Sequence, residues 1–193
     1  MDTAPDNGAR FLDGQMLIAM PGMGDPRFHR SVIFLCAHSG EGAMGLIVNK
    51  PAPELKFRDL LKQLGIEPAA DVSRIRVHFG GPVEHVRGFV LHSGEYDVDG
   101  ASLKVGGGFA MTATLDVLQD MARGKGPARA LMALGYSGWG PGQLEGEIAA
   151  NGWLIAPADP ALIFETPDAG KWEAALQSIN IDPRLLSPAG GRA

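Results

Sequence analysis

The chain is poor in the residue groupings that announce chemistry. It has one cysteine, Cys36, in 193 residues. A single thiol closes no internal disulfide, and Cys36 stands inside an apolar run. It reads as a packed, inert side chain in a protein of a reducing compartment. Lysine and arginine form no run, and 17 of them are outnumbered by 22 acidic residues, for a net charge of −5. Strong general nucleic-acid binding rests on clustered cations that neutralise phosphates, so this balance argues against it. The amino-terminal MDTAPDNGARFLDG has no basic start and leads into only a short apolar stretch. It is neither a secretory signal nor a membrane anchor, and a cytosolic protein is expected. No His-x-x-x-His or Cys–His pair occurs. His78, His85 and His92 recur at a spacing of seven, but Gly80-Gly81-Pro82 breaks the helix that would align them. Locally hydrogen-bonded histidines are the simpler reading, and no metal site is expected. No phosphate-loop or dinucleotide fingerprint is present, so no cofactor is expected either.

What the chain has is glycine, 27 of them, together with 14 prolines, 45% hydrophobic and 20% charged residues. That is an ordinary globular composition, and the length suits one domain. Glycine punctuates apolar segments, which reads as many tight turns. We expect a leader over residues 1–10 and a single domain over residues 11–193. The densest signal lies between Gly14 and Pro51. A loop rich in Gly, Pro and Asp over Pro21–Arg30 follows a short strand at Met16–Met20. The apolar runs Ser31–Ala37 and Met44–Asn49 then flank a glycine-bearing turn, the pattern of a hairpin. Phe57, Leu60, Leu61 and Leu64 make one helical face within Glu54–Leu64. Strands are expected at Arg74–Phe79, Val86–His92, Ser102–Val105 and Trp153–Ala156, and Ala128–Leu134 reads as a buried strand, with a helix start as the alternative. Helices are expected from Thr112 or Thr114 to Arg123, over Gly140–Ala150, and after Thr166-Pro167 with a face of Trp172, Ala175, Leu176 and Ile179. The fold class is α+β: a mixed, largely antiparallel sheet flanked by helices, for which a partial barrel is one form.

Several residues are candidates for function. Ser137, in Gly135-Tyr136-Ser137-Gly138-Trp139, sits between an expected strand and an expected helix, the setting of a nucleophile elbow. Trp occupies the position where that motif requires Gly, so a turn-closing or capping serine is the plainer reading. A hydrolase would need His38 or His92 as the distant base. Glu145 and Glu147 stand two apart on a helix and point away from one another, so they form no acid–base pair. One is expected to face solvent and the other to meet an arginine. Arg27 and Arg30 could hold an anion in the loop, unless Asp25 neutralises one of them. Trp139, in a glycine-rich loop, is placed to cover a pocket or meet a partner.

Five blocks carry a wider resemblance: LIAMPGMGDPRFHRSVIFLCAH at 17–38, GLIVNKP at 45–51, HFGGPVEHVRGFVLH at 78–92, LGYSGWGPGQLEGEI at 134–148 and NIDPRLLSPAGGRA at 180–193. Together they resemble the YqgE/AlgH family of bacterial proteins. The resemblance implies a compact α/β-type fold with a mixed sheet and a cytosolic protein of unassigned biochemistry. One branch bears the name of a transcriptional regulator of exopolysaccharide synthesis, although no helix-turn-helix with a basic recognition helix is legible here. Polar positions within these blocks that could build a site are Asp25, Arg30, His38, Asn49, His92, Ser137, Gln143 and Glu145. The reading these features support is a binding or regulatory module without catalysis. It would use a surface built by the loops Pro21–Arg30 and Gly135–Gly142, with Asp25, Arg30, Asn49, Trp139, Gln143 and Glu145 as its binding residues, to hold a protein partner or a small anion. The alternative is a hydrolase using Ser137 with His38 or His92.

Overall fold

The computed structural model describes residues 10–186. All but the last residue of the expected leader, and the tail from residue 187, lie outside them. Nine strands form one sheet: β1 Gln15–Ala19, β2 Val32–Ser39, β3 Gly42–Ile47, β4 Val77–Phe79, β5 Val83–Ser93, β6 Ser102–Gly106, β7 Phe109–Thr112, β8 Ala130–Trp139 and β9 Trp153–Pro157. The order is β6-β7-β5-β8-β3-β2-β1-β9, with β4 paired to β8. Every pairing is antiparallel except that of β4 with β8. The sheet curls into a half-barrel, giving the expected α+β class.

Helices cover both faces. The helix α4, Asp168–Ser178, lies in the concave side, where Trp172, Ala175 and Leu176 meet Met16, Phe34, Leu46, Phe89, Phe109 and Leu131. On the convex side α1, Phe57–Gln63, and α2, Leu115–Ala122, bury Leu61, Val117 and Met121 against Val77, Val90 and Met132. Further along the same side α3, Gln143–Ala149, seats Leu144 among Leu17, Ile33, Ile47, Trp139 and Trp153. Strands β1 to β3 are thus covered on both faces, which is why their sequences run apolar without alternation. A π-helical turn at Ala161–Glu165 leads into α4.

Two irregularities set the positions of side chains. In β8, Gly135 has a φ of 73°, and a Cβ there would lie 2.5 Å from the carbonyl oxygen of Gly81. Only glycine fits, and the break in alternation turns Tyr136 inward and Trp139 outward. In β2 the register shifts between Leu35 and Ala37, so His38 leaves the concave side and meets α3. The sequence assigned Ala128–Leu134 to a strand that ended before Ser137. The strand instead continues to Trp139, so Ser137 lies mid-strand and the strand–turn–helix setting of an elbow is absent. Nor is Trp139 on a loop. Strand β7 was not anticipated, and α4 begins one residue later than expected, with Pro167 rather than Thr166 at its cap.

Candidate functional site

At the open end of the half-barrel, the concave face forms a groove of about 690 Å³ between β2–β3, β8 and the β5–β7 side. Its walls are Met44, Phe89, Met111 and Tyr136, with Ala37 and Ala113 beside them. Strand alternation explains the set: Met44, Phe89, Met111 and Tyr136 belong to or pack on the concave core. The rim carries His38, Glu41, Arg87 and Trp139. Arg87 donates to Glu84 at 3.2 Å and lies over the Phe89 ring at 5.1 Å. The stretch from Glu84 to Arg87 bulges out of β5, because the register with β8 slips between Val83 and Gly88. Glu84 there has a φ of 49°, and Val86 is 94% exposed.

Only part of the expected residue set lies here. His38 and Trp139 stand at the rim, their side chains turned to α3. Glu145 and Gln143 stand behind them on α3, as supports. His38 Nδ1 accepts from the Leu12 backbone N–H at 3.0 Å, and its Nε2 donates to Glu145 at 2.7 Å. Glu145 lies below the ordinary carboxylate range, because a backbone hydrogen bond and His38 both favour its anion. Gln143 accepts from the Gly140 N–H and donates to Glu147. Glu147 Oε2 accepts two indole N–H groups, from Trp139 at 2.9 Å and from Trp153 at 2.8 Å. The expectation that one of the two glutamates meets an arginine is therefore corrected: histidine holds one and tryptophan holds the other. Trp139 is 7% exposed and fastens α3 to the sheet.

Asp25, Arg30 and Asn49 lie elsewhere, around the β1–β2 connection. Asp25 caps a short 3-10 turn at Pro26–Phe28 and neutralises Arg27 at 2.6 Å. Arg30, at a φ of 51°, stacks on Trp172 at 4.3 Å and pairs with Glu173 at 3.6 Å. Asn49 accepts from the Val32 N–H and donates to the Arg30 carbonyl, both at 2.9 Å.

Ser137 does not meet His92, and His38 is bonded to Leu12 and Glu145. Ser137 is buried and donates to the Gly80 carbonyl at 3.3 Å. His92 pairs with Ala130 at the far end of β8, seven residues from Ser137 and so roughly 20 Å away along the strand. There His92 Nδ1 donates to the Ser93 carbonyl and Nε2 accepts from Thr112. Burial pushes the Cys36 thiol up to about 12, so the thiolate is not available. Among the described residues no three His, Cys, Asp or Glu side chains converge as metal ligands, and no helix is long and apolar enough to cross a membrane.

Sequence reasoning missed both the groove walls and a second cluster, His78 with Asp168, Lys171 and Arg76, in a separate cleft. The alternation of Arg74, Arg76 and His78 marked one polar strand face. Its partners lie some ninety residues away, and no local pattern joins them.

The AlgH-like family model, DUF179, matches residues 16–184. A UPF0301 protein of Ruegeria pomeroyi is 62% identical over 183 residues, covering 94% of this chain and 99% of that protein. One from Paracoccus denitrificans is 56% identical over 184 residues, covering 94% and 97%. The solution structure of the AlgH protein from Pseudomonas aeruginosa superposes with a TM-score of 0.76 at 39% identity, covering all of both chains. Protein DIP2367 of Corynebacterium diphtheriae shares the fold, with a TM-score of 0.72 at 20% identity over 94% of this chain and 92% of that one. Matched along nearly its whole length, the chain belongs to the AlgH-like family.

Proposed function

We propose that the protein is a binding module without catalysis, acting in the cytosol, and that its groove receives an apolar segment of a protein partner. The observation that carries this reading is the largely apolar groove itself, lined by Met44, Phe89, Met111 and Tyr136 and bordered by Val83 and Arg87 of a bulge whose Val86 is 94% exposed. A strained non-glycine residue, Glu84, holds that bulge out of the sheet, and bulges of this kind re-aim side chains beside binding sites. Apolar groove walls beside an exposed aliphatic bulge make a surface that gains by being covered. A small anion suits the groove less well. The one arginine there already bonds Glu84 and covers Phe89, and Glu41 stands on the opposite rim. A regulatory effect would run through such a partner and not through DNA, in keeping with the net charge of −5.

The test uses two substitutions at exposed positions, Val86→Asp on the bulge and Ala113→Arg in the groove wall. A protein retained from native lysate by the immobilised wild type should lose at least about tenfold in affinity against both variants, with folding checked by circular dichroism. Binding that survives both substitutions removes the groove from the reading.

A further inference from the structure

We propose that a second surface, the groove between residues 51–56 and residues 71–77 on the convex side, docks an acidic amphipathic segment of a protein partner. Its apolar side chains would lie on Pro51, Pro53 and Leu55, and its carboxylates would face Lys56, Arg58 and Arg76. This surface is separate from the groove at the open end of the half-barrel and does not rest on its reading.

The groove exists because one segment is absorbed by neither sheet nor helix. Strand β4 pairs with β8 on one side. On its other side it meets residues 50–52: the Phe79 N–H donates to the Lys50 carbonyl at 2.8 Å, and the Ala52 N–H to the Val77 carbonyl at 2.9 Å. Pro53, which has no N–H, follows, and the ladder ends there. The space left between this segment and residues 71–77 is about 580 Å³. Phe57, Val72 and Val77 form its buried floor. Pro51, Pro53 and Leu55 stand exposed along it, Leu55 at 37%. An apolar strip open to water and rimmed by charge is the make-up of a docking surface.

The sign of the rim selects the occupant. Three cations, Lys56, Arg58 and Arg76, line the groove against one carboxylate, Asp71, in a chain whose net charge is −5. Asp71 already accepts from the Ser73 N–H at 2.9 Å. Glu54 and Asp59, acids close by in the chain, are not among the walls. Among the described residues Lys56 and Arg58 form no ion pair, and Arg76, its side chain 64% exposed, reaches Asp168 only at 3.5 Å. Such a rim steers acidic partners in and turns basic ones away, while apolar contact along the strip supplies affinity. A phosphate backbone would use the cations and leave Pro51, Pro53 and Leu55 uncovered. A neutral apolar segment would cover those three and leave the cations unmatched. An acidic amphipathic segment satisfies both.

The test is a nitrogen-15 NMR titration of the full chain with a short synthetic peptide of alternating Glu and Leu pairs, with its Lys–Leu counterpart and with its Glu–Ser counterpart. The Glu–Leu peptide should give saturable shifts at the Ala52, Leu55, Arg58 and Ile75 amides. The double variant Lys56→Glu with Arg58→Glu should weaken that binding at least about tenfold while leaving the remaining spectrum in place, and so should Leu55→Asp, which alters the apolar strip alone. Absence of saturable shifts with the Glu–Leu peptide overturns the proposal. So does unchanged affinity in either folded variant. Equal binding of the Lys–Leu peptide would make the groove merely apolar, and equal binding of the Glu–Ser peptide merely cationic; each result overturns the proposal as well. The peptide comparison is made on the wild-type chain and so decides the matter even where a variant fails to fold.

Discussion

At the scale of single residues, side chains that looked like binding groups turn out to be fasteners. Asn49 shows the mechanism: its amide joins the N–H of Val32 to the carbonyl of Arg30 and so fixes how the chain enters β2. Asn49→Ala should cost about 1–3 kcal/mol of stability, read as a lower denaturation midpoint at unchanged slope. Ser137, spent on a backbone carbonyl and shut from solvent, should not be labelled by a fluorophosphonate probe at neutral or alkaline pH. Labelling there would reopen the hydrolase reading. Asp168 makes the protein sensitive to acid. Burial pushes its carboxyl up, but hydrogen bonds from His78 and Lys171 outweigh that and hold it below the usual carboxylate range. The folded state therefore keeps the anion more tightly than the unfolded chain does. The stabilisation is complete above about pH 4 and is lost as pH falls below that toward the lower folded value. Asp168→Asn should cost about 3 kcal/mol at neutral pH, with the gap to wild type closing as the pH is lowered to about 2. A gap that stays constant would contradict the assignment. Residue identity and spacing alone could not have placed these pairings. Asn49 and Glu145 were visible as polar residues inside apolar blocks, but their partners depend on a hairpin, a bulge and a helix docked from far along the chain.

At the scale of elements, the sequence spoke clearly where periodicity was regular. The β2–β3 hairpin, β9, the faces of α1 and α4, and the strand at Val86–His92 were legible because apolar spacing and turn residues agreed. The reading failed where a strand continues through glycine. Gly135 suggested an end to β8, whereas its positive φ serves as a bulge that lets the strand run on to Trp139. That one misreading produced both the loop tryptophan and the serine elbow. Gly135→Ala tests the account. A Cβ would meet the Gly81 oxygen at 2.5 Å in a conformation L-residues avoid, so the variant should lose more than about 1 kcal/mol and show its largest amide shifts at residues 80–83 and 134–139. Shifts confined to position 135 itself would mean that the bulge carries no such constraint.

At the scale of the whole molecule, stability is unevenly shared. Strands β1, β2 and β3 are sandwiched between α3 and α4, and Leu17, Ile18, Ile33, Phe34 and Ile47 have no exposed surface. The helix α1 buries only Phe57 and Leu61 of its seven residues, and the bulge in β5 stands in solvent. Hydrogen exchange should therefore divide the molecule, with β1–β3 amides opening only on global unfolding and α1 and residues 84–87 exchanging through local opening. Equal protection in both sets would argue against this division. The overall class, the single domain and the family were open to inspection from the chain because they rest on long apolar blocks in a fixed order. The groove and the cleft were not, since each is assembled from elements at opposite ends of the sequence.

Two of the three indoles, Trp139 and Trp153, share the single carboxylate oxygen of Glu147, and one of them also forms the groove rim. The third, Trp172, lies under Arg30 beside α4. The molecule thus carries an intrinsic optical gauge, for emission from the Trp139–Trp153 couple will register whether α3 stays docked on the sheet. A Trp172→Phe background would leave that signal undiluted, so undocking could be followed without attaching any dye.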